Sequence, residues 1–535
     1  MRFIFFLILF LPFSVFSQKY DNKYFNKALE YYQDNDVVRA KKHLYIILKD
    51  DRTHPQANIL LGQIYEDKNQ INKSLDYYDI AMEELISQNY DFTEEKLSQL
   101  IYRVSNLHFN MGNYIKSKYY MSHCEYENYH KEFAERINFA IQLKENPVDF
   151  IPVNLGNIIN SESDEYLPFV ARDNNLLFFT KNNQQEDIYV SYDTRMRGVV
   201  DNVWGTPHKL PINTSFNEGG GTLSKDGRIF FFTSCERDEV VGGRGCDIYV
   251  SFNENDSWSK PINLVYINTE YWESQPCLSE DGRELYFVSN RPGGYGKMDI
   301  WKSEITENSF SQPVNLGSNV NTSGHEMSPF IHSDNITLYF ASDYHFGMGG
   351  HDIFYSRKID KNWSKPQNIG YPINTYNDEN SLVVSSNGTT AYFASDNLEQ
   401  GFGRMDLYRF NMPLSSQSFN VVDSEPIILR NIFFKYNSHE ILSKSEKELM
   451  KLVSFLRNNS SVDISIYGHT DNVGSDKFNL ELSNLRAMSV YNYLLKKEIN
   501  SSRLSYYGKG KCCPVASNKT EFGRSQNRRI EFIID

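Results

Sequence analysis

Two charged side chains stand where a strand gives way to a loop and where a helix carries a polar side. Asp471 closes the run Gly468-His469-Thr470-Asp471, which follows the alternating apolar residues Val462, Ile464 and Ile466. Asn479, Ser483 and Arg486 come next at i, i+4 and i+7, so one side of a helix carries all three. A carboxylate and a forked guanidinium placed in this way can grip a charged ligand, or each other as an internal salt bridge. The remaining reactive residues are less organised. His325-Glu326 and His439-Glu440 lack the second His of a zinc-protease helix. No G-x-S-x-G turn and no complete phosphate loop occurs. The six cysteines, Cys124, Cys235, Cys246, Cys277, Cys512 and Cys513, show no four-ligand zinc spacing with histidine. No catalytic residue, metal or cofactor is therefore expected. Cys235 and Cys246 bracket the polar loop 236–245 and are the candidate disulfide, whereas the adjacent Cys512 and Cys513 could pair only under strain.

These residues need a frame, and the last hundred or so positions supply one. Arg430–Tyr436 reads as a strand. Ser443 and Glu446 read as a capping box, followed by the apolar helix stripe Leu449, Leu452, Val453 and Leu456. A second helix is expected to bury Leu480, Ala487, Val490, Tyr491 and Leu494, and strands at 503–507 and 528–534 complete an α+β unit. The motifs GHTDNVG (468–474), LSNLRA (482–487) and GRSQNRRIEF (523–532) stand in the order and spacing of the OmpA-like peptidoglycan-binding domain, which the segment 427–535 resembles. The resemblance implies that Asp471 and Arg486 hold the ammonium and carboxylate of diaminopimelate in the peptide stem. Asn479 and Asn472 would add amide hydrogen bonds, and Asn527, Arg528 and Arg529 would brace the fold. Lys435 stands where that family often has Asp, and Cys512-Cys513 replaces its usual polar loop before Pro514.

Two sets of internal repeats precede this unit. In 19–145, Ala28, Tyr31 and Ala40 recur 34 residues on as Gly62, Tyr65 and Ser74, and 43 residues further as Ser105, His108 and Ser117. Small residues at those places let paired helices cross closely, with the aromatic behind them, and His108 stands in for the packing Tyr. The pattern resembles the tetratricopeptide repeat, which implies a protein-binding helical array. In 148–410, Glu165, Glu218, Glu273, Glu326 and Glu379 recur every 53 to 55 residues. Eight residues after each comes a turn of the Asp-Gly kind, then an apolar strand, then a strand begun by Asp187, Asp247, Asp299, Asp352 or Asp406. Each unit holds about four short strands, the content of one propeller blade. The motif resembles the TolB-type, WD40-like propeller, with five blades. The last lacks its own outer strand, which Pro152–Leu155 can supply. Residues present in all five units read as structural. The loops 290–298, 343–351 and 396–405 differ between units and are candidates for a partner or a glycan.

Composition fits a multidomain chain: an α-helical array, an all-β five-bladed propeller, a linker at 411–426 and the α+β domain. With 535 residues and roughly 100–200 per domain, three or four domains are expected. Net charge is −13, which argues against nucleic-acid binding. Apolar residues make up 40%, enough for real cores, and no internal apolar run reaches the length of a membrane span. Residues 1–17 read as a cleaved secretory signal, with no cysteine at the cleavage site to take a lipid. The order of domains resembles the PorE-type arrangement of type IX secretion. That resemblance implies a non-catalytic periplasmic scaffold, associated with the outer membrane and tied to peptidoglycan, with envelope proteins and secretion components as partners. The alternative is a propeller hydrolase or glycan-binding enzyme tethered to the wall.

Overall fold

The structure is a computed structural model. It describes residues 22–534 apart from 89–94, 125–130, 172–174, 195–203, 238–244, 255–256, 307–308, 360–361, 397, 399–400, 414, 419–426, 430–431, 436–437 and 459–461. The expected leader, the Asp173-Asn174 turn, the middle of the 235–246 loop and most of the expected linker lie outside the described residues. The chain divides into two compact units.

The first unit is helical: α1 (Asn22–Gln33), α2 (Val37–Asp50), α3 (Pro55–Glu66), α4 (Ile71–Ser87), α5 (Glu95–Asn110), α6 (Tyr114–Met121) and α7 (Lys131–Glu145). The first six pack as consecutive pairs. Each pair is joined by a tight turn with one residue in the left-handed region, Asn35, Asn69 or Gly112, which ends the first helix of the pair. The small residues at the crossings are buried, and Ser74 and Ser105 donate hydroxyl bonds to the carbonyls of Gly62 and Ser117, each at 2.8 Å. His108 is buried and bonds Asp79 through Nε2 at 2.7 Å, a packing role. The short segments Phe346–Gly350 and Asn374–Asp378 group with these helices.

The second unit opens with β1 (Val153–Asn154) and then builds sheets in chain order. β2 (Asp164–Ala171), β3 (Leu176–Asn182), β4 (Glu186–Tyr192) and β5 (His208–Lys209) form one. β6 (Asn217–Leu223), β7 (Ile229–Cys235), β8 (Cys246–Glu254), β9 (Ser257–Trp258) and β10 (Ile262–Asn263) form the next. β11 (Glu273–Leu278), β12 (Glu284–Ser289), β13 (Asp299–Thr306), β14 (Ser309–Phe310) and β15 (Val314–Asn315) form the third. β16 (Glu326–Ile331), β17 (Thr337–Ser342), β18 (Asp352–Ile359), β19 (Asn362–Trp363) and β20 (Gln367–Asn368) form the fourth. β21 (Asn380–Val384), β22 (Thr390–Ser395) and β23 (Asp406–Asn411) form the fifth, which β1 completes by pairing Val153 with Arg409.

The repeats fold alike because they solve the same local problems. Gly227, Gly282, Asn335 and Gly388 hold the positive φ of the turns between first and second strands. Each first strand carries a bulge with one positive-φ residue, namely Leu167, Gly220, Gln275, Ser328 or Ser381. Glu165, Glu218, Glu273 and Glu326 are fully buried and accept the turn amides of Ser161, Thr214, Thr269 and Thr322 at 2.7–3.0 Å. A buried carboxylate is tolerable there because fixed donors replace its water. The second strands, such as Leu285–Val288 and Leu338–Ala341, are buried on both faces. Cys235 is bonded to Cys246, and Cys512 to Cys513. Cys277 is buried, which pushes its thiol up to about 12.

The C-terminal α+β domain comprises β24 (Ile427–Leu429), α8 (Glu446–Asn458), β25 (Ile464–Gly468), α9 (Asp476–Lys496), β26 (Leu504–Gly508), α10 (Glu521–Asn527) and β27 (Ile530–Ile534). Its sheet runs β24-β27-β25-β26, with β25 and β26 parallel. Leu449, Leu452, Val453 and Leu456 of α8 share a core with Ile464, Ile466, Ala487, Val490, Leu494 and Phe532. Of the expected strand 430–436, residues 430, 431 and 436 lie outside the described residues; a strand is described at Ile427–Leu429, and Phe434 forms an isolated bridge to Ile441. Two expectations are corrected. The Ser443–Glu446 capping box does not form. Ser443 begins a 3-10 turn, and Ser445 instead accepts the Phe433 amide at 2.8 Å. Leu480 is 54% exposed, because α9 turns Asn479, Ser483 and Arg486 inward in its place.

Candidate functional site

The site starts with two glycines. Gly468 and Gly508 end the neighbouring parallel strands β25 and β26 and pair in register. A Cβ on Gly468 would lie 2.1 Å from the Ser483 carbonyl oxygen, and one on Gly508 2.6 Å from the Asn484 nitrogen. Only glycine lets α9 lie directly on the strand ends. That contact carries Asn479, Ser483 and Arg486 to the loop that leaves β25.

Polar bonds then pin the loop. Thr470 donates its amide to the Gly510 carbonyl at 2.8 Å, and the Asn479 side-chain amide reaches the Val473 carbonyl at 3.1 Å. Ser483 Oγ accepts the Gly510 amide at 2.9 Å. Asp471 Oδ1 accepts the Val473 amide at 2.9 Å, a self-made turn that aims the carboxylate. His469 is fixed from behind by Glu531 at 3.0 Å, and Glu531 also accepts from Arg529 at 2.6 Å. Burial works to raise the Glu531 carboxyl, but these two partners hold it below its ordinary value.

Asp471 and Arg486 are brought together but do not pair. Asp471, 9% exposed, gives Oδ2 to Arg528 at 2.7 Å, and Arg528 also bonds Glu521 at 2.8 Å. Arg486, 6% exposed, donates Nε to the Ser438 carbonyl at 3.1 Å and lies over the Phe434 ring at 5.0 Å. Among the described residues it has no carboxylate partner. Burial holds Arg486 below the usual guanidinium range, the Arg528 charge adds to this, and Asp471 opposes both. Thr470 Oγ1 is buried with no hydrogen-bond partner among the described residues. A buried cation and an orphan hydroxyl beside a fixed carboxylate are groups that an incoming polar ligand would satisfy.

Of the four expected site residues, Asp471, Asn479 and Arg486 converge. Asn479 holds the loop through Val473, and Asn472 is exposed. The expected alternative, an Asp471–Arg486 salt bridge, is not formed. Arg528, read from the sequence as a brace for the fold, is the cation that pairs with Asp471. Thr470 was not singled out, although its place inside GHTD was a usable signal. Lys435 pairs with Glu440 at 3.5 Å on the surface, where such a pair contributes little. Elsewhere, Asp299 and Asp406 accept the amides of Gly296 and Gly403 at 3.1 Å, in the described parts of the loops 290–298 and 396–405. Tyr295 and Phe402 in these loops are exposed. No helix among the described residues is long and apolar enough to cross a membrane.

Three known proteins each align with about a fifth of the chain. Over 102 residues the chain is 37% identical to outer membrane protein A of Bordetella avium, covering 19% of this chain and 53% of that protein. Over 102 residues it is 39% identical to the peptidoglycan-associated lipoprotein of Buchnera aphidicola subsp. Baizongia pistaciae, covering 19% of this chain and 59% of that protein. The match thus spans little more than half the length of either relative. Among solved structures, the peptidoglycan-associated lipoprotein from Burkholderia pseudomallei aligns with 26% identity and a TM-score of 0.19, over 19% of this chain and 88% of that one. The sequence model of the OmpA family matches residues 433–528, and the C-terminal domain is accordingly an OmpA-family domain.

Proposed function

We propose that this protein is a non-catalytic scaffold of the cell envelope, anchored to peptidoglycan through residues 427–535. The observation that carries the reading is the buried Arg486, without a carboxylate partner among the described residues and set beside the fixed carboxylate of Asp471. The diaminopimelate side chain of a stem peptide ends in an ammonium and a carboxylate. Arg486 would take the carboxylate in a two-point grip, and Asp471 the ammonium. Thr470 and Asn479 belong to the same loop-and-helix junction, through the Thr470 amide bond to Gly510 and the Asn479 bond to Val473. The names of the two curated relatives support an envelope setting, periplasmic and outer-membrane associated.

The other parts would present partners to this anchor. We read residues 148–410 as a five-bladed propeller. In support, β2, β6, β11, β16 and β21 touch one another in sequence, and β21 returns to β2. Residues 19–145 read as a tetratricopeptide-like array, supported by the repeated small-residue crossings and left-handed turns. The cavity where the five first strands meet holds only about 40 Å³. That is room for about one water and not for a sugar ring, which favours the scaffold over a hydrolase acting at the centre. A role in type IX secretion rests on the order of the domains alone. Sedimentation with purified sacculi tests the anchor. A pull-down from wall-crosslinked envelope tests the scaffold: co-purified secretion components support it, and turnover of envelope substrates argues for the enzyme.

A further inference from the structure

Repetition makes the exceptions visible. In each of the first four sheets three places lie together at one end of the strands: the residue before the repeated Glu, the residue that closes or just follows the second strand, and the residue before the repeated Asp. In the second sheet these places are Asn217, Cys235 and Cys246, each in register with the next. The bond between Cys235 and Cys246 shows that the last two places bring side chains into direct contact. The fourth sheet has the same register, Glu326 opposite Ser342 and Ser342 opposite Asp352. One residue beyond each of these stand His325, Asp343 and His351. The first sheet has Asp164, Asn182 and Glu186 at these places, and the third has Trp272, Asn290 and Met298. The convergence of two imidazoles on a carboxylate thus distinguishes the fourth sheet from its neighbours.

The geometry is close to that of a ligand set. Ligand atoms of the three side chains all lie within 4.8 Å of one another. His325 Nδ1 is 2.8 Å from Asp343 Oδ2, and Asp343 Oδ1 accepts the His325 amide at 2.7 Å, which fixes the carboxylate. The two imidazole rings stand 6.1 Å apart, tilted by 54°. All three residues are half-buried, so neither rings nor carboxylate are freely solvated. Donors around a tetrahedral zinc ion stand roughly 3.4 Å apart, given metal–ligand distances near 2.05 Å. Ligand atoms as much as 4.8 Å apart must draw together to reach that spacing.

We propose that His325, Asp343 and His351 form a zinc site with one coordination position open to solvent. Two neutral imidazoles and one carboxylate suit zinc and neighbouring first-row ions, whereas calcium and magnesium select oxygen donors. Binding through His325 Nδ1 places the metal between the same two groups, with the neutral imidazole carrying its proton on Nε2. Nothing in this assignment depends on the peptidoglycan reading of the C-terminal domain.

The test uses the full chain, stripped with chelator. Zinc is titrated against a chromophoric competitor, and cobalt is added as a visible-spectrum probe of tetrahedral geometry. One tightly held ion per chain is expected, with a tetrahedral cobalt spectrum. His351→Gln and the near-isosteric Asp343→Asn should each weaken binding by more than the roughly 10- to 100-fold that loss of an outer-shell partner costs. Near-ultraviolet circular dichroism in chelator establishes that each variant is folded, and His325→Gln replaces any that is not. A wild-type chain that holds no stoichiometric zinc overturns the proposal. So does a folded variant that keeps wild-type affinity, since the ion would then sit on other histidines or cysteines.

Discussion

Replacing Arg486 separates a ligand-binding arginine from a structural one. In the free protein its guanidinium gives one charge-assisted bond to Ser438 at 3.1 Å and stacks on Phe434 at 5.0 Å. Those contacts contribute about 1.5–3 and about 0.5–2 kcal/mol. Against them stands the cost of burying a cation with no carboxylate partner, a term of similar size. Arg486→Ala should therefore change the unfolding free energy by less than about 2 kcal/mol, and Arg486→Lys, which keeps the charge, by less still. Ligand binding has no such offset. Lysine loses one of two parallel bonds to a carboxylate, about 1.5–3 kcal/mol, or roughly 10- to 140-fold in affinity. Alanine leaves the ligand carboxylate unmatched, about 2–5 kcal/mol, or roughly 30- to 4,000-fold. The assay is co-sedimentation of the full chain with purified sacculi across a concentration series, with denaturant unfolding of each variant in parallel. Because the site is buried, moderate salt should change wild-type binding little. A folded Asp471→Ala/Arg486→Ala variant that pellets like the wild type would refute the reasoning.

Gly468→Ala should destabilise the C-terminal domain by about 1–3 kcal/mol or more, since the new methyl meets a helix carbonyl that cannot rotate away. Sacculus binding should fall with it, and an unchanged denaturation midpoint would contradict the close-packing account. Deleting residues 150–155 removes β1 from β23 and takes away Phe150, which packs on Phe410 at 5.0 Å. A loss of at least about 1.5–3 kcal/mol is expected from that ring alone, read as a lower melting temperature of the β unit; wild-type melting would count against β1 as a completing strand. Replacing Cys235 and Cys246 by serine opens a link across a sequence separation of 11 residues, with an expected cost of about 2–3 kcal/mol. Mass spectrometry that finds both thiols free in exported protein would remove the basis for that figure. Glu531 is held below its ordinary value of 4.5 in the fold. Its contribution is thus present above about pH 4.5 and is lost as the pH falls through the lower, folded value. Glu531→Gln should flatten the acid limb of the C-terminal domain's stability curve, and an equally steep limb would show that another group controls it.

Periodicity and motif order determined a good deal of this molecule in advance. Small residues spaced 34 and 43 apart specify helix crossings, because only they admit a neighbouring backbone. Turn residues recurring with a buried glutamate specify sheets of one kind, because φ preference and amide satisfaction are local. The order GHTD, LSNLRA, NRR was enough to point to Asp471 and Arg486. Who pairs with whom was not legible. Asp471 meets Arg528, 57 residues away, and Arg486 meets Ser438, 48 residues away, and no local rule couples such positions. Helical periodicity placed Leu480 inside and left Arg486 on a polar side. The reverse arose because Gly468 and Gly508 bring α9 onto the strand ends, and polar loops, not apolar side chains, cover that face. His325, Asp343 and His351 are scattered in sequence and match no metal motif. Strand register alone, a property of the assembled sheet, makes them neighbours.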